Sequence, residues 1–481
     1  MPNRTSGSKP TTRSLSRKTR TRVRHFNMRQ RISIKLCAVL LVSGLGVARA
    51  QSSGAPPAAS GPLFSSSDDS SSQLLVPPPV SGSSYSLAFA SQERSNYLKG
   101  GLTFQANHDD DVLATPSGSP IADWSYSIWP SIEINQTWPR FHWRVAYMPG
   151  FTFYQNLSSY NQQDHNLAIS GEYRLSPHVT VGLRDSLVRT SNLFNQPVFG
   201  SEGTIGGAPQ GPNNSIVTPV SDVLRNTAGG DLTYQYGRND MVGLGGTVTN
   251  LHFLNASQDQ GLYDAAARGG SAFYTHRFAA RHYVGVSYFY QQLLTYPTAA
   301  ENQTTTNTVI GFYTFYPRRT LSFSIFGGPQ HASTQQFGSP AVAQWSPAAG
   351  ASIGWQARHT SAAVSYLYTI SDGGGLVGAV HSNAGALTLR QQLSKAWSAG
   401  ATGTYADNTL IENAAAALND GGHSLGGSVW VERTLGQHFN AQVGYSHIHQ
   451  NYDNVAALAT VTGRNREWMA VTYNFTRPLG R

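Results

Sequence analysis

Phe141-His142-Trp143-Arg144-Val145-Ala146-Tyr147-Met148 puts a large apolar side chain at every odd position, with mostly polar or small ones between. A two-residue period is the mark of a β-strand with one greasy and one polar face. Working outward, the same alternation recurs. Leu167, Ile169, Gly171, Tyr173 and Leu175 carry it, then Leu321, Phe323 and Ile325, then Phe439, Ala441, Val443 and Tyr445. Met469, Val471, Tyr473 and Phe475 end the series. About eighteen such segments fit between Leu98 and Phe475. The count falls to sixteen if the weakest two, Leu98–Asn107 and Ala343–Gln356, are not strands. A helical period is nearly absent, with Asn413 to Leu418 the one short exception.

The connections alternate long and short. Trp138-Pro139, Ser176-Pro177, Gly237-Arg238-Asn239, Pro317-Arg318 and Ser394-Lys395 are short; 108–123, 154–164, 189–222, 254–266, 329–342 and 451–464 are long. A soluble sandwich has no reason to sort its loops by parity, whereas a transmembrane barrel gathers tight turns at one rim and long loops at the other. The expected fold is therefore all-β: a transmembrane antiparallel up-and-down barrel of about eighteen strands. Hydrocarbon offers no hydrogen bonds, and a closed sheet satisfies every backbone group internally. Trp143, Tyr147, Tyr288, Tyr290, Tyr366, Tyr368, Tyr445 and Tyr473 suit the aromatic girdles at the membrane surfaces.

Over about Leu98 to Phe475 the chain resembles bacterial outer-membrane β-barrel proteins of the porin-like type. It shares part of their C-terminal assembly signal, an aromatic-x-aromatic ending at Tyr473-Asn474-Phe475. It departs from them at Ala470, where Gly is usual, and in the residues that follow Phe475. The resemblance implies a place in the outer membrane, contact with its lipid and lipopolysaccharide, insertion by the barrel-assembly machinery, and a trimer as one oligomeric option. It also implies that the third long connection, Arg189 to Asp222, folds into the pore as a constriction. Phe194, Asn195, Gln196 and Glu202 would form that constriction.

The ends set the boundaries. Leu36 to Val47 is an apolar run preceded by basic residues and followed by Ala48-Arg49-Ala50. That is a secretory signal peptide, with cleavage after Ala50 and export by the general secretory pathway of a Gram-negative-type cell. Residues 1–50 form this segment, and Met28 offers an alternative start. Residues 51–96 are Ser/Pro-rich and read as a disordered periplasmic leader. The barrel takes 97–476, and 477–481 is a short C-terminal extension. The chain has 34 Lys+Arg against 25 Asp+Glu, but twelve of the basic residues and no acidic ones lie in residues 1–50. The remainder is slightly acidic, so the overall basicity is no sign of a nucleic-acid partner. The single cysteine, Cys37, leaves with the signal peptide.

No enzyme motif stands out, and neither catalysis nor a cofactor is expected. Gly243-Leu244-Gly245-Gly246 lies within a strand, without the helix a phosphate loop needs. His447-Ile448-His449 puts two imidazoles on one strand face, short of a full ligand set. His108-Asp109-Asp110-Asp111 reads as a solvated acidic loop, with a Ca²⁺ site as the alternative. A lipid-face hydrolase would need a Ser/His pair; His276 and Ser287 lie on neighbouring expected strands, but nothing marks them out.

If the large apolar residues face lipid, their alternates line the pore. Those are Glu133, Arg144, Glu172, Arg174, Arg184, Arg225, Asp231, Arg277, Arg390, Glu432 and Arg466, with Trp129, Phe289, Trp430 and Trp468 as lumen aromatics. Seven basic against four acidic groups suggest a weak anion or neutral-solute preference, unless the charges pair with one another. The aromatics either stack on sugar rings or pack the lumen. The functional expectation is a porin-like channel for passive diffusion of small polar solutes. The alternatives are export or anchoring of a surface polysaccharide, and a plugged structural or adhesive barrel.

Overall fold

The computed structural model describes residues 96–113, 120–191, 222–254, 262–297, 301–318, 320–336, 340–376, 378–411, 421–452 and 463–479. The expected signal peptide, residues 51–95 of the expected Ser/Pro-rich leader, Asn413 to Leu418 and the proposed constriction residues Phe194, Asn195, Gln196 and Glu202 lie outside them.

Eighteen strands follow one another: β1 (Tyr97–Asp109), β2 (Asp123–Thr137), β3 (Phe141–Tyr154), β4 (Gln162–Ser176), β5 (Val179–Thr190), β6 (Val223–Gln235), β7 (Asp240–Phe253), β8 (Ala265–Ala279), β9 (His282–Thr295), β10 (Asn302–Arg318), β11 (Leu321–Gln335), β12 (Val342–Gln356), β13 (Thr360–Ser371), β14 (Val380–Gln392), β15 (Trp397–Leu410), β16 (Gly421–Leu435), β17 (Phe439–Tyr452) and β18 (Arg464–Pro478). Each pairs antiparallel with its sequence neighbours, and β1 pairs with β18, so the sheet closes with no free edge. Both weak segments are strands, so the count is eighteen rather than sixteen. A short 3-10 turn at Ser158–Tyr160 interrupts the β3–β4 connection.

Several boundaries differ from the sequence reading; β11, for one, continues to Gln335 through the first half of the expected 329–342 connection. β18 continues through the start of the expected C-terminal extension, with Arg477 opposite Leu98 and Pro478 opposite Tyr97. Pairing with β1 gives those residues ladder partners that a C-terminal count cannot see. Pro317-Arg318 was expected to be a bare turn, yet β10 runs through it with a register shift between Phe315 and Arg318.

The alternation holds around the ring. Phe104, Leu183, Val443 and Ile325 are exposed, while Thr103, Gln105, Ser127 and Ser324 are buried. Leu183 is 65% and Val443 59% exposed. An apolar surface of this extent is stable only against lipid, and an inside-out polarity is what a membrane-spanning barrel requires. The expected girdle residues all sit at outward register positions; Tyr288, Tyr290, Tyr366, Tyr445 and Tyr473 are exposed there. No helix among the described residues is long and apolar enough to cross a membrane; the crossing is made by strands.

At the seam, Phe475 faces outward and its ring lies over Gly100 of β1, where any Cβ would collide with it. Tyr473 packs on Phe439, ring centroids 5.1 Å apart. The expected assembly signal is thus also part of the wall that closes the barrel.

Candidate functional site

The inward face is built by cross-strand pairs. Opposite hydroxyls bond to each other at Thr103–Thr472 (2.9 Å), Ser127–Thr152 (2.8 Å), Thr304–Thr334 (3.1 Å), Thr314–Ser324 (2.9 Å) and Thr402–Ser428 (2.7 Å). Such pairs satisfy polar groups without charge and hold register. The inward positions of β9 to β13 hold no Asp, Glu, Lys, Arg or His among the described residues. Thr, Ser and Gln dominate that wall, with Phe289, Ile310, Phe312 and Ala348 forming an apolar cluster within it.

All eleven expected lumen charges take inward register positions, and all four carboxylates have a basic partner among them. Glu133 accepts a 2.6 Å bond from Arg144 Nε and another from the Tyr97 hydroxyl at 2.9 Å. Arg174 Nε donates to Glu172 at 3.1 Å, and Arg390 lies 3.5 Å from Glu432. Arg184 lies 3.9 Å from Asp231. Asp372 is the carboxylate whose field reaches Arg225, and Asp109 is the one that reaches Arg466. Arg277 Nη2 donates to the Ala280 carbonyl at 3.1 Å. Local pairing therefore neutralises most of the field expected from a list of inward charges. Lys99, Asp109, Asp164 and Arg464 also point inward and were missed. Lys99 sits on the alternation of the first expected strand and was legible. Asp109, Asp164 and Arg464 fell within the expected connections 108–123, 154–164 and 451–464, which the strands β1, β4 and β18 enter.

Asp109 corrects one further expectation. The acidic run does not form an open loop: Arg464 holds Asp109 through Nε and Nη2 at 2.9 and 2.5 Å, and Asp110 accepts from the Asn465 backbone and side chain. Ser287 and His276 do not meet either. Ser287 is buried on the inner face, while His276 faces outward and bonds Asp240 at 2.8 Å. Neighbouring strands bring residues together only when their parities match. His447 and His449 do share the outer face, and no group of three or more metal-ligating side chains forms among the described residues.

The lumen aromatics lie flat on the wall. Trp129 covers Gly150, Trp430 covers Gly400 and Trp468 covers Gly444, each leaving no room for a Cβ. These rings and Phe289 are almost wholly buried, so their faces are occupied by protein rather than open to a solute.

The long-connection half of the lumen is crossed by the 372–379 loop between β13 and β14. Unlike an ordinary outer loop, its described residues are buried. Gly374 and Gly375 have φ of 61° and 112°, a left-handed turn that favours glycine. The turn drives Leu376 into a cluster with Val223, Leu251, Phe253, Leu262 and Val380, whose strands lie on opposite sides of the ring. The Tyr263 amide donates to the Gly375 carbonyl at 2.7 Å, and the Ile411 amide to the Ala379 carbonyl at 3.1 Å. Ala379 joins a second cluster with Ala267, Leu293, Ala332, Ile370 and Ile411. The sequence signal was the run Gly373-Gly374-Gly375 followed by apolar residues at a position where an exposed loop was expected.

No family model and no curated protein matches this chain. Solved structures similar to it include Pseudomonas aeruginosa OccK2 (OpdF), 11% identical, covering 80% of this chain and 98% of that one with a TM-score of 0.42. Pseudomonas aeruginosa OpdQ is 11% identical over 80% and 98%, TM-score 0.38. The FrpB iron transporter from Neisseria meningitidis is 10% identical over 74% of this chain and 62% of that one, TM-score 0.41.

Proposed function

We propose that this barrel is a porin-like outer-membrane channel for small, uncharged polar solutes of the sugar type, constricted by the 372–379 loop. The observation that carries this reading is the inner wall of β9 to β13, rich in hydroxyls and amides and without a charged side chain among the described residues. The facing wall carries its charges as adjacent pairs, whose fields cancel over a few ångströms. A pore of that kind offers hydrogen bonds without strong selection by charge sign. Salt pairing thus favours the neutral-solute side of the sequence expectation over the anion side.

A second reading, a plugged structural barrel, is favoured by the two apolar clusters that span the lumen. One experiment separates them. The purified full chain is reconstituted in liposomes and in planar bilayers. Swelling in neutral sugars, with a reversal potential close to zero in a salt gradient, supports the channel. Absence of both swelling and ion conductance refutes it and leaves the plugged barrel.

A further inference from the structure

Of the fourteen histidines in the barrel sequence, His142 points into the lumen and His381 packs against the inner wall, 3.3 Å from Gln344. Seven sit at outward register positions toward the long-connection rim. There His108 packs on Trp124 at 5.1 Å and His331 on Trp345 at 4.9 Å between ring centroids. His165 Nδ1 bonds the Tyr147 hydroxyl at 2.8 Å, and His252 bonds Asp264. His423 and His449 face each other at 5.7 Å, with His447 on the same strand face bonded to Asn465. All seven are at least partly exposed. Ring stacking on interfacial aromatics sets their depth, because the aromatic girdle lies at the level of lipid headgroups.

At that depth a barrel needs basic groups to meet lipid phosphates, and lysine is absent from this zone among the described residues. Arg189 and Arg268 are the fixed cations. The fixed anions facing the histidines are Glu467 and Asp110 near His108, Asp264 at His252, Asp407 opposite His423, and Asp222 on Arg189. With neutral imidazoles the collar carries more carboxylates than guanidiniums. With protonated imidazoles the balance reverses.

We propose that this collar is a binding belt for the phosphate groups of surrounding anionic lipid, engaged as its histidines take up protons. A phosphate beside an imidazole stabilises its charged form, so engagement grows as the pH falls. Linkage is reciprocal: a lipid phosphate that raises an imidazole pKa by about one unit is bound about tenfold tighter by the protonated site. The proposal is independent of whether the lumen conducts.

The test uses the full chain in phosphatidylcholine nanodiscs doped with spin-labelled phosphatidylglycerol or spin-labelled phosphatidylcholine. The preference for phosphatidylglycerol should rise about tenfold from pH 8 to pH 5. His108, His331, His423, His447 and His449 changed together to Gln should abolish most of the rise, with folding checked by heat-modifiable gel mobility. Should that variant not fold, the pair His423→Gln and His449→Gln should reduce the rise. His276→Gln with His282→Gln, near the opposite rim, should leave at least half of it. An equal preference at both pH values, or a full rise in the collar variants, overturns the proposal.

Discussion

Leu376→Ala tests the constriction directly. Leu376 is 2% exposed within a cluster contributed by both sides of the ring. Removing its isobutyl group from such a site costs about 2–3 kcal/mol, the lower part of the range for a buried Leu→Ala change, since a loop relaxes more readily than a core. The loop docks through a few contacts while the barrel wall stands independently, so the whole cost falls on the docked–undocked equilibrium. At about 1.4 kcal/mol per factor of ten, the undocked population rises roughly 30- to 150-fold. Backbone amide exchange reads this number. The Tyr263 and Leu376 amides, bonded to the Gly375 and Gly373 carbonyls, should exchange faster by that factor. The Thr103 and Ser127 amides in the wall should keep their wild-type rates. Single-channel records should show more time at higher conductance. Wild-type protection of Tyr263 and Leu376 in the variant would refute the constriction.

Gly375→Ala should undock the same loop by another route, since φ is 112° and a Cβ would stand 2.8 Å from Phe253 Cζ; amide exchange again reports it. Arg144→Met leaves Glu133 buried without its guanidinium and should cost about 3–5 kcal/mol in urea unfolding. Arg184→Met, at a pair with side chains 55% and 39% exposed, should cost under about 1 kcal/mol. Arg184→Glu should instead move the reversal potential toward cations, and no movement would count against a conducting lumen. Gly150→Ala collides with the Trp129 ring and should destabilise by about 1–3 kcal/mol. Gly246→Ala, whose Cβ would meet nothing closer than 3.6 Å, should stay within about 0.5 kcal/mol on the same urea curve.

The chain's local pattern determined the barrel. Alternation at Phe141–Met148 and Leu321–Ile325 assigned faces, and the parity of loop lengths assigned rims, because both follow from the geometry of single strands and hairpins. The inward positions of Glu133, Arg144 and the other lumen charges were legible for the same reason. What they bond to was legible only in part: Arg144 reaches Glu133 across one hairpin, whereas Arg464 reaches Asp109 across 355 positions of sequence. Parity also explains the failed Ser287–His276 pair, which adjacency of strands alone could not exclude. The Gly373-Gly374-Gly375 run marked an unusual turn, but the inward course of the 372–379 loop was decided by tertiary structure. Leu376 is driven inside by Phe253, Leu262 and Val380, which enclose it only once the sheet has closed, and no local period records a contact made across an empty space.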